Sequence, residues 1–126
     1  MEFTLYGFDV FTAEVDDKGI DFVIRTEQFQ YYDVQVKSSR NLTYIFFPKD
    51  KFILRPNLLA AVALFEDNKP PDLYLIPAVV WRNPTPLFVD RDYDGKKSKP
   101  EFGLNLSRKN LPELEQYLFE HKVNSL

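Results

Sequence analysis

Apolar and polar residues alternate along much of the first half of the chain. In "YYDVQVKSS" (31–39) the even positions Tyr32, Val34 and Val36 are apolar, whereas Asp33, Gln35 and Lys37 are a carboxylate, an amide and an amine. A period of two marks a strand with one buried face. "IDFVIR" (20–25) has the same period, with Ile20, Phe22 and Ile24 on one face and Asp21, Val23 and Arg25 on the other. "GFDVFTAEV" (7–15) reads as the strand before it. "DDKG" (16–19) reads as turn chemistry in which Gly19 is free to take positive φ. "NLTYIFFPKDKF" (41–52) supplies a fourth strand, stopped by Pro48.

The period then changes. In "RPNLLAAVALFEDNKPP" (55–71), Leu58, Leu59, Val62 and Phe65 fall on one helical face. Pro56 suits a first turn, and Pro70 and Pro71 would end the helix. "DLYLIPAVVW" (72–81) is nearly continuously apolar, as expected of a strand covered on both faces. A short strand bounded by prolines is predicted at 87–90, then a charged loop at 90–100. A last helix over 110–122 has Asn110 as N-cap, Glu113 three residues on, and Leu111, Leu114 and Leu118 as its stripe. The pattern predicts an α/β fold: a meander of strands, a crossover helix, another strand and a final helix.

Composition narrows the function classes. A chain of 126 residues is one domain with room for a core, and 44% hydrophobic residues argue against disorder. The longest apolar run, "LLAAVALF" (58–65), is too short to span a bilayer, and no secretory leader is read at Met1. The absence of cysteine excludes disulfides and thiolate metal sites and fits a reducing cytoplasm, the expected location. A single histidine, His121, rules out a multi-histidine metal centre and disfavours a histidine-based triad. A net charge of −3 counts against a dedicated nucleic-acid binder, though not against a nuclease, whose metal-binding carboxylates are themselves acidic.

The strands at 20–25 and 31–37 are joined by "TEQFQ" (26–30), short enough for a hairpin. Centring the loop on Gln28 puts every even apolar position of both strands on one face, which is what sets register. Asp21 then lies across from Gln35, with Lys37 on the same face and opposed β-carbons about 5 Å apart. Two readings remain open for this row: solvent-facing residues, or a site. As a site, Asp21 and Gln35 would each offer an oxygen to Mg²⁺, a hard cation that keeps several waters. Lys37 would serve the attacking water and the phosphate charge.

"GID" (19–21) followed by "VQVKS" (34–38) resembles the PD-(D/E)xK nuclease superfamily, and within it an uncharacterised bacterial branch with a GxD…QxK signature. "YIFFPKDKF", "LLAAVALF" and "LYLIPAVVW" resemble the same branch, so the likeness covers most of the chain. It implies a restriction-endonuclease-like mixed sheet flanked by helices, and a divalent-metal-dependent nuclease acting on DNA or RNA. The catalytic residues it implies are Asp21, Gln35 and Lys37. The implied ligands of Mg²⁺ or Mn²⁺ are Asp21, Gln35 and the backbone carbonyl of Val36. Gln35 stands where the family carries a carboxylate, so a catalytically silent domain that binds protein or nucleic acid is the alternative.

Only "MEFTLY" precedes Gly7, so the family's first helix is expected to be missing or reduced to its last turn. The face carrying Phe8, Val10, Phe22 and Ile24 would then lack cover and favour a homodimer, unless the helix at 110–122 covers it instead. Elsewhere ordinary roles are expected. Asp33 faces Val23 at the surface, and Asp16 and Asp17 belong to a turn. Lys96, Lys97 and Lys99 lie in a solvated loop that could also touch a nucleic-acid backbone. Trp81 is core, His121 caps a helix end, and neither Ser38 nor Ser39 has a partner histidine nearby.

Overall fold

The computed structural model describes residues 2–12 and 19–126. A 3-10 helix, Glu2–Tyr6, precedes strand β1 (Asp9–Thr12), and β2 (Phe22–Arg25) and β3 (Tyr31–Arg40) complete an antiparallel meander. The expected turn at 16–18 and the end of the first strand at 13–15 lie outside the described residues. After β4 (Tyr44–Pro48), strand β5 (Leu58–Phe65) runs parallel to β3, and β6 (Asp72–Pro77) returns antiparallel to β5. The result is a mixed five-stranded sheet in the order β1-β2-β3-β5-β6. Strands β7 (Phe88–Arg91) and β8 (Glu101–Asn105) join β4 in a second, three-stranded sheet, ordered β4-β8-β7.

The predicted crossover helix at 55–71 is therefore a strand. Leu58, Ala60, Val62 and Leu64 face one core, while Leu59 and Ala61 face another. A strand buried on both faces needs no polar alternation, and an apolar run of this length carries no period that separates it from a helix. Pairing along both edges, with β3 and β6, satisfies its backbone and decides the matter. Strand 72–81 likewise ends at Pro77, and 78–82 turns into a 3-10 helix that carries Trp81 inward.

The larger core lies between the two sheets. The indole of Trp81 meets the rings of Phe47, Phe52 and Phe88 edge-on, at 5.4, 5.4 and 5.0 Å, and its N–H donates to the Gly103 carbonyl at 2.8 Å. One face of the five-stranded sheet is thus covered by a sheet rather than by the helices expected to flank it. Gly103 leaves room for Tyr44, whose hydroxyl would stand 2.0 Å from any β-carbon there and instead donates to Glu101 at 2.5 Å.

The smaller core occupies the other face. Phe22 and Ile24 are buried there beneath Phe3 of the 3-10 helix and Phe119 and Val123 near the C-terminus. The face expected to lack cover is closed within one chain, which removes the packing argument for a homodimer. The predicted helix at 110–122 is interrupted. It forms α1 (Leu111–Leu114), a 3-10 turn and α2 (Phe119–Lys122), with extended backbone at Leu118 (φ −51°, ψ 135°). Asn110 and Glu113 do not form the expected capping box. The Asn110 amide donates to the carbonyls of Pro86 and Asn105, and Glu113 accepts from Thr85.

Candidate active site

The hairpin has the register set by its alternating pattern: Phe22 pairs with Val34, Val23 with Asp33 and Ile24 with Tyr32, all symmetric about Gln28. Asp21 stands one residue before β2. Its backbone N–H donates to the Val34 carbonyl at 2.9 Å, and its carboxylate oxygen Oδ2 accepts from the Val36 N–H at 2.7 Å. Asp21 therefore bonds on either side of Gln35 and extends the ladder just before β2 begins. A residue's N–H and C=O point to the same flank of a strand, so the Val36 carbonyl faces the Asp21 side as well.

Gln35 and Lys37 pair with Ala60 and Val62 of β5 and so face the larger core. The expectation of an open polar face fails at Gln35, which is 6% exposed. Gly19 lies against it, and Lys51, in the 3-10 helix Lys49–Lys51 that follows β4, lies against Gly19. A β-carbon on Gly19 would lie 2.7 Å from the Lys51 carbonyl oxygen and 3.6 Å from Gln35 Nε2. Gly19 also has φ +78°, so both its conformation and its close approach require glycine.

Among the described residues, Gln35 Oε1 is the buried side-chain oxygen or nitrogen without a hydrogen-bond partner. A buried acceptor left unpaired carries a desolvation cost of roughly 1–3 kcal/mol. An unpaired oxygen is the donor type that a hard cation takes, and Asp21, Gln35 and the Val36 carbonyl are all oxygen donors, a chemistry compatible with Mg²⁺ or Mn²⁺. No cluster of three His, Cys, Asp or Glu residues is present among the described residues, so Asp21 contributes the only carboxylate of this set.

The Lys37 ammonium lies 5.7 Å from the centre of the Phe47 ring, a cation–π contact that directs it beneath β4. Phe47 is thus a neighbour of the site that sequence reasoning missed, because the contact bridges two sheets.

The remaining residues have structural roles. Asp33 is ion-paired with Arg55 at 2.6 Å. Ser39 is buried and donates to the Asn41 carbonyl at 2.9 Å, while Ser38 is exposed. Lys96 and Lys97 are exposed, Lys99 approaches Asp50 at 4.0 Å, and His121 is exposed on α2. Asp16 and Asp17 lie outside the described residues.

No protein-family model matches the chain. No curated protein matches it by sequence. Among solved structures, the chain is similar to Hjc of Archaeoglobus fulgidus, a Holliday junction resolvase from an archaeal hyperthermophile. The TM-score is 0.52 at 13% identity, over 89% of this chain and 80% of that one. The fold is restriction-endonuclease-like, as the resemblance of the motifs implied.

Proposed function

We propose that the chain is a divalent-metal-dependent nuclease that hydrolyses phosphodiester bonds in DNA, built on the GxD…QxK signature of Gly19, Asp21, Gln35 and Lys37. The observation that carries this reading is the buried, unpartnered oxygen of Gln35, one residue from Val36, whose N–H holds the Asp21 carboxylate. The likeness to a Holliday junction resolvase favours DNA over RNA.

Asp21, Gln35 and the Val36 carbonyl would hold Mg²⁺ or Mn²⁺, which when bound supplies an acidified water and neutralises phosphate charge. The Val36 N–H fixes one Asp21 oxygen, Oδ2. Lys37, steadied by the Phe47 ring, donates to a phosphate oxygen or to the attacking water. The cover formed by Gly19 and Lys51 keeps bulk water from Gln35, which strengthens every charge interaction inside.

Titration calorimetry with Mg²⁺ and Mn²⁺, alongside cleavage of duplex and four-way-junction DNA, tests the proposal. Asp21→Ala and Lys37→Ala should each abolish metal-dependent cleavage, and Asp21→Ala should also abolish metal binding. Cleavage that survives either change, or that needs no divalent ion, would overturn the mechanism.

The second reading is a catalytically silent domain that works by binding. The lone carboxylate and the neutral Gln35 favour it, since a neutral oxygen holds a divalent cation less firmly than a charged one. A wild-type chain that binds neither Mg²⁺ nor Mn²⁺ would reject the nuclease in favour of this reading.

A further inference from the structure

The tip of the β2–β3 hairpin is tightly specified. The buried Thr26 hydroxyl accepts from the N–H groups of Gln28 and Gln30 at 3.2 and 3.1 Å. Backbone bonds run from Thr26 N to Gln30 O at 2.8 Å and from Phe29 N to Thr26 O at 3.0 Å. This closure leaves Phe29 at φ +61°, a conformation that glycine or asparagine takes in hairpin loops and a bulky side chain rarely does. Burial does not offset the strain, because Phe29 is 72% exposed.

The ring instead joins an exposed group on the sheet. The Arg25 guanidinium lies 5.5 Å from the ring centres of both Phe29 and Phe11. Tyr31 is the cross-strand partner of Arg25 and is itself exposed. Hydrogen bonds to Asp9 and then to Tyr31 raise the Arg25 pKa and hold the planar cation in place. Phe11, Arg25 and Tyr31 share the face of Gln35 and Lys37, and Tyr31 precedes Gln35 by four residues of β3, about 13 Å.

We propose that Phe11, Phe29, Tyr31 and Arg25 form a stacking platform for unpaired bases of single-stranded DNA. The choice of DNA rests on the nuclease reading; the stacking itself does not. Aromatic and guanidinium planes stack on any exposed base, whereas bases inside a duplex have their faces already occupied. The charge balance points the same way. Asp9 sits 2.5 Å from Arg25 and Asp33 is paired with Arg55, so among the described residues both arginines here are already neutralised by a carboxylate. Binding should therefore depend on stacking and respond only weakly to salt.

Fluorescence anisotropy in EDTA tests this with a labelled oligothymidylate, the same strand in duplex, and an oligouridylate. The expected result is single-stranded DNA bound at least about tenfold more tightly than the duplex and no more weakly than the RNA. Phe29→Gly should weaken that binding about tenfold or more and leave the thermal midpoint unchanged or raised, because glycine relaxes the left-handed backbone. Phe11→Ala should weaken it in the same direction.

Equal affinity for duplex, preference for RNA, or unaltered binding in Phe29→Gly would overturn the platform. A lower midpoint in that variant would show the ring to be structural and overturn it too. So would self-association in light scattering that disappears with Phe29, unaccompanied by oligonucleotide binding. Because EDTA removes divalent metal ions, a failed nuclease reading leaves this assay intact. Single-strand binding without metal-dependent cleavage would uphold the platform while rejecting the nuclease.

Discussion

Tyr31 and Gln35 stand on one face of the same strand, yet Tyr31 is 50% exposed and Gln35 is 6% exposed. The difference lies in what crosses above them. At the Tyr31 end the neighbours are β1 and β2, whose outer face carries Asp9, Phe11 and Arg25 into solvent. At the Gln35 end the strand passes beneath the Gly19 backbone and the Lys49–Lys51 helix, beside the second sheet. Alternation in a sequence assigns residues to a face; it carries no information on whether that face is later roofed. The covered end is where a polar oxygen goes unpaired, and the open end is where a phenylalanine is strained. Each departs from local stability in the way expected of residues kept for binding.

The largest expected effect comes from lifting the roof. Gly19→Ala forces a side chain into a left-handed backbone and places its β-carbon against the Lys51 carbonyl. Together these should cost about 2–4 kcal/mol. Chemical denaturation measures the loss, and a change below about 0.5 kcal/mol, the range of an ordinary surface substitution, would show that the cover is loose.

Gln35→Glu comes next and reverses sign with metal. A carboxyl in this covered position should have its folded-state pKa raised above the unfolded value of about 4.3, because burial penalises the charged form. Stability would then be fully present below that value and decline as pH rises through the folded pKa. Adding Mg²⁺ at pH 7 should more than restore it, since the new charge is a stronger ligand than the amide oxygen. Saturation at one hundred times Kd would contribute about 2.7 kcal/mol. Calorimetry giving weaker Mg²⁺ binding than wild type would remove Gln35 from the ligand set.

The two ends of β3 also divide what was legible from the residues alone. The hairpin register followed from the even apolar positions and the loop centred on Gln28, because a slip of one residue would expose Phe22, Ile24 and Val34 together. The roof was not legible, since the approach of Lys51 to Gly19 joins segments distant in sequence. Strand β5 was misread because Leu and Ala favour helices and both its faces are buried. Strand β8 was missed. "EFGLN" is short and follows a charged loop, and it contains a glycine whose reason, the Tyr44 ring across it, lies in another strand. The final helix looked continuous because its leucine stripe persists. Leu118 leaves the helix to bridge to Tyr74, a tertiary contact with no local signature.

The smallest expected effect is also the most direct measure of the covered end. Gln35→Leu keeps the approximate volume of the side chain and removes the oxygen that lacks a donor. If that oxygen is held unpaired in the metal-free protein, its removal should raise stability in EDTA by about 1 kcal/mol, the lower end of the cost of an unsatisfied buried group. The same change should abolish whatever stabilisation Mg²⁺ confers on the wild type, because a ligand is gone. Thermal denaturation of both proteins with and without Mg²⁺ gives the four values needed. A variant less stable than wild type in EDTA by more than about 1 kcal/mol would mean that the amide is satisfied and its role is structural. The open end supplies the control: Tyr31→Leu, on the same face but half in solvent, should leave the response to Mg²⁺ as it is.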